Sequence, residues 1–240
     1  IDGVEDDAID TSGFSITFPA TSDIHTEIQG DKPGQDPVGQ TITGTDANDR
    51  IMGKDGDDTL IGGEGNDELY GADKPGQPLE NEVGDDTLIG GIGDDALIGG
   101  LGTDTAIFNG VLSAADFTTI TDADPTPGTL AGWQVNATAF GEGTDTLTGI
   151  QIVESTGTGG ASGRFLLVGN GGFESLGDAV AMANSGDTIL IGDGAFNITA
   201  AGAADPAQLV IDKDLTIIGQ GAGASTLQAV ADTGSSGDSR

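Results

Sequence analysis

From Gly44 to Ile107 the apolar positions return every nine residues, a spacing that fits neither the 3.6-residue period of a helix nor the alternation of a long strand. Aligned on that interval, the chain reads Gly44–Met52 (GTDANDRIM), Gly53–Ile61 (GKDGDDTLI) and Gly62–Tyr70 (GGEGNDELY). After an interruption it continues as Asn81–Ile89 (NEVGDDTLI), Gly90–Ile98 (GGIGDDALI) and Gly99–Ile107 (GGLGTDTAI). The eighth place holds Ile51, Leu60, Leu69, Leu88, Leu97 and Ala106. The sixth holds Asp49, Asp58, Asp67, Asp86, Asp95 and Asp104. Glycine-rich acidic composition alone would predict disorder. A disordered linker, however, has no reason to keep an aspartate in phase with an aliphatic residue through every repeat.

The interruption, ADKPGQPLENEVGDD, has an echo in GDKPGQDPVGQ at Gly30–Gln40, again ahead of a strand-like TIT. EIQG precedes the first and ELYG the second, so both read as proline-bearing loops protruding from turns. A degenerate repeat is therefore expected around Ile28, within a leading segment 1–43 that also contains DDAIDTSGF and FSITFP. His25, the single histidine, reads as a solvated loop residue.

Beyond Ile107 the pattern changes. Alternating runs around Phe117–Thr121, Trp133–Phe140 and Thr146–Val153 predict short antiparallel strands over residues 108–156, with Trp133 and Phe140 as core. STGTGGASG (Ser155–Gly163) has the composition of a flexible linker, placed at 157–163. From 164 to 240, Ser175 with Asp178 forms a capping box opening a short helix whose apolar face is Phe173, Leu176, Val180 and Ala183. DTILIG, AQLVI, LTIIGQG and STLQAV follow as strands.

Charge narrows the chemistry. The 240 residues carry 40 acidic and 7 basic groups, a formal net charge of −33. Nucleic acid and anionic membrane are excluded as partners, since both require a positive footprint. Between residues 44 and 104 stand 16 acidic side chains against Arg50, Lys54 and Lys74, so a compact state calls for a bound cation. Without cysteine there is neither a disulfide framework nor a thiolate metal site. No apolar run reaches the roughly 20 residues of a membrane span.

The nonapeptide resembles the glycine-rich calcium-binding repeat of the RTX family. That resemblance implies an all-β fold: a parallel β-roll in which six residues of each repeat turn, three form a strand, and two repeats make one coil. It also implies several Ca2+ ions held between successive turns on one side. Their ligands would be the carboxylates of Asp49, Asp58, Asp67, Asp86, Asp95 and Asp104, with main-chain oxygens at Gly44, Gly53, Gly62, Gly65, Gly90, Gly93, Gly99 and Gly102. Calcium takes oxygen ligands of both kinds, and glycine lets carbonyls crowd inward. Alternate repeats should fall on opposite edges: Asp49, Asp67 and Asp95 on one, Asp58, Asp86 and Asp104 on the other. GTDTLTGIQIVE is similar to the antiparallel segment that closes such rolls. Residues 165–230 resemble the cap helix and first coils of a right-handed, pectin-lyase-like parallel β-helix, expected to continue past residue 240.

Enzyme chemistry associated with RTX proteins finds few of its residues here. A zinc protease needs H-E-x-x-H and a serine hydrolase needs G-x-S-x-G with a histidine base; neither occurs. The rival is polysaccharide lyase or epimerase chemistry, for which the β-helix part offers Asp187, Asp193, Asp212, Lys213 and Asp214. The expectation is a non-enzymatic module of a large secreted or cell-surface bacterial protein, of adhesin, surface-layer or filament-like type, exported by type I secretion. Polysaccharide or copies of the chain itself are its candidate partners, besides calcium.

Overall fold

The computed structural model describes residues 26–30, 39–72, 84–120, 131–157, 162–197, 209, 211–220 and 225–228. The proline-bearing loops, His25 and most of AQLVI lie outside them.

The nonapeptides form a coil of short strands: β1 (Thr26–Gln29), β2 (Thr41–Thr43), β3 (Asp49–Met52), β4 (Thr59–Glu64), β5 (Glu68–Tyr70), β6 (Thr87–Ile92), β7 (Ala96–Ile98) and β8 (Thr105–Phe108). Odd-numbered strands pair in parallel in one sheet and even-numbered strands in the other. Each eighth-place residue therefore stacks on its counterpart one coil away: Ile28, Ile51, Leu69 and Leu97 in one column, Ile42, Leu60, Leu88 and Ala106 in the other. All eight are buried between the two sheets. β4 and β6 run six residues, longer than the three expected, because Gly63 pairs with Gly91 and Glu64 with Ile92 beyond the inward leucine. Ile28 pairs with Ile51, so the roll begins ahead of Gly44. Across the interruption, Leu60 pairs with Leu88 without loss of register.

After β8 the chain makes a short 3-10 turn at Ala114–Asp116, then β9 (Phe117–Ile120), β10 (Gly132–Asn136), a second 3-10 turn at Thr138–Phe140, β11 (Thr144–Thr148) and β12 (Ile152–Thr156). β9 and β10 are antiparallel and extend the odd-numbered sheet beyond β11. The expected third antiparallel run, Thr146–Val153, instead splits at Gly149, whose φ of +66° reverses the chain. β11 is antiparallel to β10 as expected, while on their other sides the two halves join the roll in parallel, β11 beside β7 and β12 beside β8. Trp133 is buried and its Nε1 donates to the Gly169 carbonyl (2.9 Å). Phe140 is 42% exposed, not core, because the 3-10 turn lifts it out of the strand and lays its ring over Gly110.

β12 turns back into β13 (Ser162–Val168), with Ser155 opposite Gly163 and Thr156 opposite Ser162. The residues read as a linker are thus flanked by paired strands of one hairpin, and the even-numbered sheet runs unbroken into the following segment. There β14 (Thr188–Ile191) and β16 (Thr216–Gly219) add in parallel, while β15 (Gly194–Asn197) pairs with β17 (Ser225–Gln228). Gly194–Asn197 was not anticipated as a strand, whereas Leu209 and Ile211 of AQLVI are not in one. Helix α1 (Leu176–Met182) is capped as the sequence predicts: Ser175 Oγ accepts the Asp178 amide (3.1 Å) and donates to its carboxylate (2.5 Å). Leu166, Val168, Ile189 and Ile191 face α1, while Phe165, Leu167 and Leu190 extend the core of the roll. A sheet covered on both faces explains why RFLLV and TILI lack polar alternation.

Candidate metal centre

The sixth-place aspartates form two ladders. On one edge the Asp49 amide donates to Asp67 Oδ1 (2.8 Å) and the Asp67 amide to Asp95 Oδ1 (2.8 Å). On the other, the Asp58 amide donates to Asp86 Oδ1 (2.8 Å) and the Asp86 amide to Asp104 Oδ1 (2.9 Å). The structure therefore brings together the two sets that the RTX resemblance assigned to opposite edges. All six carboxylates are buried.

One oxygen of Asp67, Asp95, Asp86 and Asp104 is held this way, and Asp49 Oδ2 accepts instead from the Thr45 amide (2.6 Å) and hydroxyl (2.8 Å); the remaining oxygens are where the chemistry lies. Oδ2 of Asp58, Asp67, Asp95 and Asp104, and Oδ1 of Asp49, are buried with no hydrogen-bond donor. A buried acceptor without a donor is costly, and more so when ionised. The first-place glycines Gly44, Gly53, Gly62, Gly90 and Gly99 lie directly against these carboxylates. At Gly62 a Cβ would collide with Asp67 Oδ2 while standing 2.5 Å from the carbonyl oxygen of Gly90, one coil on. Only a residue without a side chain leaves that space open, with a carboxylate and a carbonyl oxygen facing it. Fourth-place Gly65, Gly93 and Gly102 adopt φ of +119°, +143° and +142°, and a Cβ on Gly93 would strike the Gly65 carbonyl.

Burial, opposed by the amide hydrogen bond and reinforced by neighbouring carboxylates, pushes Asp67 and Asp104 up to about 7. Asp86 and Asp95 are pushed up to about 6 by the same principal cause. The groups resist ionising until a positive charge is supplied. Among the described residues no three His, Asp or Glu side chains converge on one point. A cation here must be held by one or two carboxylates plus main-chain oxygens, the hard-oxygen set that suits calcium and not a thiolate- or imidazole-binding metal.

Residues 43–73 and 82–106 match the RTX calcium-binding nonapeptide repeat, in four copies. The match covers the described turns that carry all six aspartates, and the β-roll observed here is the architecture of RTX repeats. No curated protein and no solved structure matches the chain.

Three further rungs escaped the sequence reading. Asp145 Oδ1 accepts the Asp95 amide (2.8 Å), extending that ladder. Gln40 and Gln151 occupy the sixth place at the two ends of the other: the Gln40 amide donates to Asp58 Oδ1 (2.7 Å), and Gln151 Oε1 accepts the Asp104 amide (2.7 Å). The local string Gly-Thr-Asp-Thr-Leu at 143–147 was the available signal for Asp145. The fifth place builds a second, exposed row. Asn48 accepts from the Asn66 amide, Asn66 from Asp94, Asp57 from Asp85 and Asp85 from Thr103.

Proposed function

We propose that this chain is a calcium-folded structural module of a secreted or cell-surface bacterial protein, without catalytic chemistry of its own. The observation that carries the reading is the set of buried carboxylate oxygens with no donor, repeated along both edges of the roll. Calcium bound there supplies the positive charge that lets these groups ionise while buried. Asp67 and its equivalents hold the ion, the first-place glycines keep its space open, and the sixth-place amides orient the carboxylates.

At the sub-micromolar calcium of a bacterial cytoplasm (on the order of the sensor affinities of calcium proteins) the roll stays unfolded, a state suited to export through a type I secretion channel. Outside the cell, calcium folds it. RTX repeats occur in secreted bacterial proteins, and no helix among the described residues is long and apolar enough to cross a membrane. An adhesin, surface-layer or filament-like parent would use the stacked coils as a stiff spacer.

A second reading is favoured by the parallel pairing of β14 with β16 and β15 with β17 behind helix α1. These rungs would open a parallel β-helix of a polysaccharide lyase or epimerase, with catalytic coils outside this chain. Within it the available charges have structural duties. Asp187 pairs with Arg164 (2.5 Å), Asp193 accepts from Thr119 (2.7 Å), and Lys213 Nζ donates to carbonyls of Val180, Ala181 and Ala183 at the end of α1.

Far-UV circular dichroism during a calcium titration, with magnesium as control, tests the proposal. A cooperative gain of β signal with calcium alone is expected; a fully formed spectrum in chelator would refute it.

A further inference from the structure

Beyond the matched repeats, the turn that carries Asp145 repeats the Asp95 turn over its fourth to seventh places, residues 143–146, although no carbonyl of that turn faces Gly90 as the Gly90 carbonyl faces Gly62. A Cβ on Gly143 would strike the Gly93 carbonyl, the Thr144 amide donates to Asp94 Oδ1 (2.8 Å), the Asp95 amide to Asp145 Oδ1 (2.8 Å), and the Thr146 amide to the Asp95 carbonyl (2.8 Å). The step between Asp67 and Asp95 is made of the same four relations. A Cβ on Gly93 would strike the Gly65 carbonyl, the Asp94 amide donates to Asn66 Oδ1 (3.1 Å), the Asp67 amide to Asp95 Oδ1 (2.8 Å), and the Ala96 amide to the Asp67 carbonyl (2.8 Å). Asp95 Oδ2, buried and without a donor, lies against Gly90 in this turn, as Asp67 Oδ2 lies against Gly62 in the one before. Asp145 itself is buried. Glu142, beside it, accepts from the Asn109 amide and side chain (2.9–3.0 Å).

The opposite edge ends differently. Between β7 and β8 the turn Gly99–Asp104 precedes the strand, whereas between β11 and β12 there is room only for Gly149, Ile150 and Gln151. That turn keeps the first-place carbonyl, with Gly149 O facing Gly99 beside Asp104 Oδ2, but it lacks the second- to fifth-place residues and its sixth place is a neutral amide.

We infer that the space between the Asp95 and Asp145 turns is an additional calcium site, which fastens the closing segment 137–148 to the roll, and that the Asp104–Gln151 step has no counterpart. Cations would then sit at Asp49–Asp67, Asp67–Asp95 and Asp95–Asp145 on one edge, but only at Asp58–Asp86 and Asp86–Asp104 on the other. The inference rests on the calcium reading of the repeats.

Native mass spectrometry of the full chain in calcium tests it. Asp145→Asn should bind one ion fewer than the wild type, and Gln151→Asp should bind the same number. An unchanged count in Asp145→Asn, or a gained ion in Gln151→Asp, would overturn the inference while leaving the calcium reading intact. A wild-type chain that binds no calcium would sink both. Should Asp145→Asn fail to fold, hydrogen exchange on the wild type decides: the Thr144–Leu147 amides should gain protection with calcium in step with Glu68–Tyr70. Protection of 144–147 that is indifferent to calcium would overturn the proposal.

Discussion

The roll and the helix-backed segment share one sheet but are stabilised by opposite means. In the roll each repeat buries one aliphatic residue, and each coil also buries carboxylates that lack a donor. In the segment from β13 to β16 the sheet is apolar on both faces, with α1 packed over Leu166, Val168, Ile189 and Ile191. The buried charge there, Asp187, has Arg164 beside it and accepts the Asn184 amide (2.6 Å). One half is completed by its own side chains; the other presents an acceptor set that a cation completes. A continuous sheet therefore does not imply a uniform source of stability.

Calcium removal should separate the two most sharply. In chelator, hydrogen exchange should lose protection across Asp49–Asp104 by orders of magnitude while α1 and β13–β14 keep theirs. Simultaneous loss of both would show that the shared core, which runs from Ile28 to Leu190, couples them into one cooperative unit. The next largest effect is expected from Gly62→Ala. Its methyl would occupy the space between the Asp67 carboxylate and the Gly90 carbonyl, so calcium-induced folding followed by circular dichroism should be lost or shifted to much higher calcium. Leu166→Ala, on the other side of the comparison, should cost about 3 kcal/mol by cavity formation, read by denaturant unfolding with calcium saturating.

Acidity offers a finer test. Because burial raises Asp67 and Asp104 to about 7 and Asp86 and Asp95 to about 6, the metal-free folded roll holds protons that the unfolded chain has released. That contribution is fully present below the ordinary aspartate pKa near 3.8 and is lost as pH rises through about 6 to 7. In chelator, lowering the pH from 8 to 5 should therefore strengthen residual roll structure. Calcium affinity should weaken over the same interval, since protons and calcium compete for the same oxygens. A calcium midpoint independent of pH would contradict the assignment of these carboxylates. The smallest effect belongs to Ser175→Ala, which removes the cap of α1 and should cost about 1 kcal/mol whether or not calcium is bound.

Much of this was legible in the chain. A nine-residue phase that keeps aspartate two places before an aliphatic residue marks the inward column, and the resemblance to RTX repeats supplies the assignment of aspartates to two edges, though not the six-residue length of β4 and β6. The capping box of α1 is equally local: Ser175 and Asp178 meet because they are three apart on a helix start. Tertiary structure decided the remainder, where contact joins residues distant in sequence. Asp145 reaches Asp95 across 50 residues, and Gln151 reaches Asp104 across 47. Neither step keeps the nine-residue interval that made the other rungs visible. The same holds for the antiparallel pairing of β12 with β13, and for Phe140, whose exposure follows from a 3-10 turn within an alternating run. A repeat announces what each unit does to its neighbour. Which segments complete its ends depends on how the chain returns, and only the folded coil sets that path.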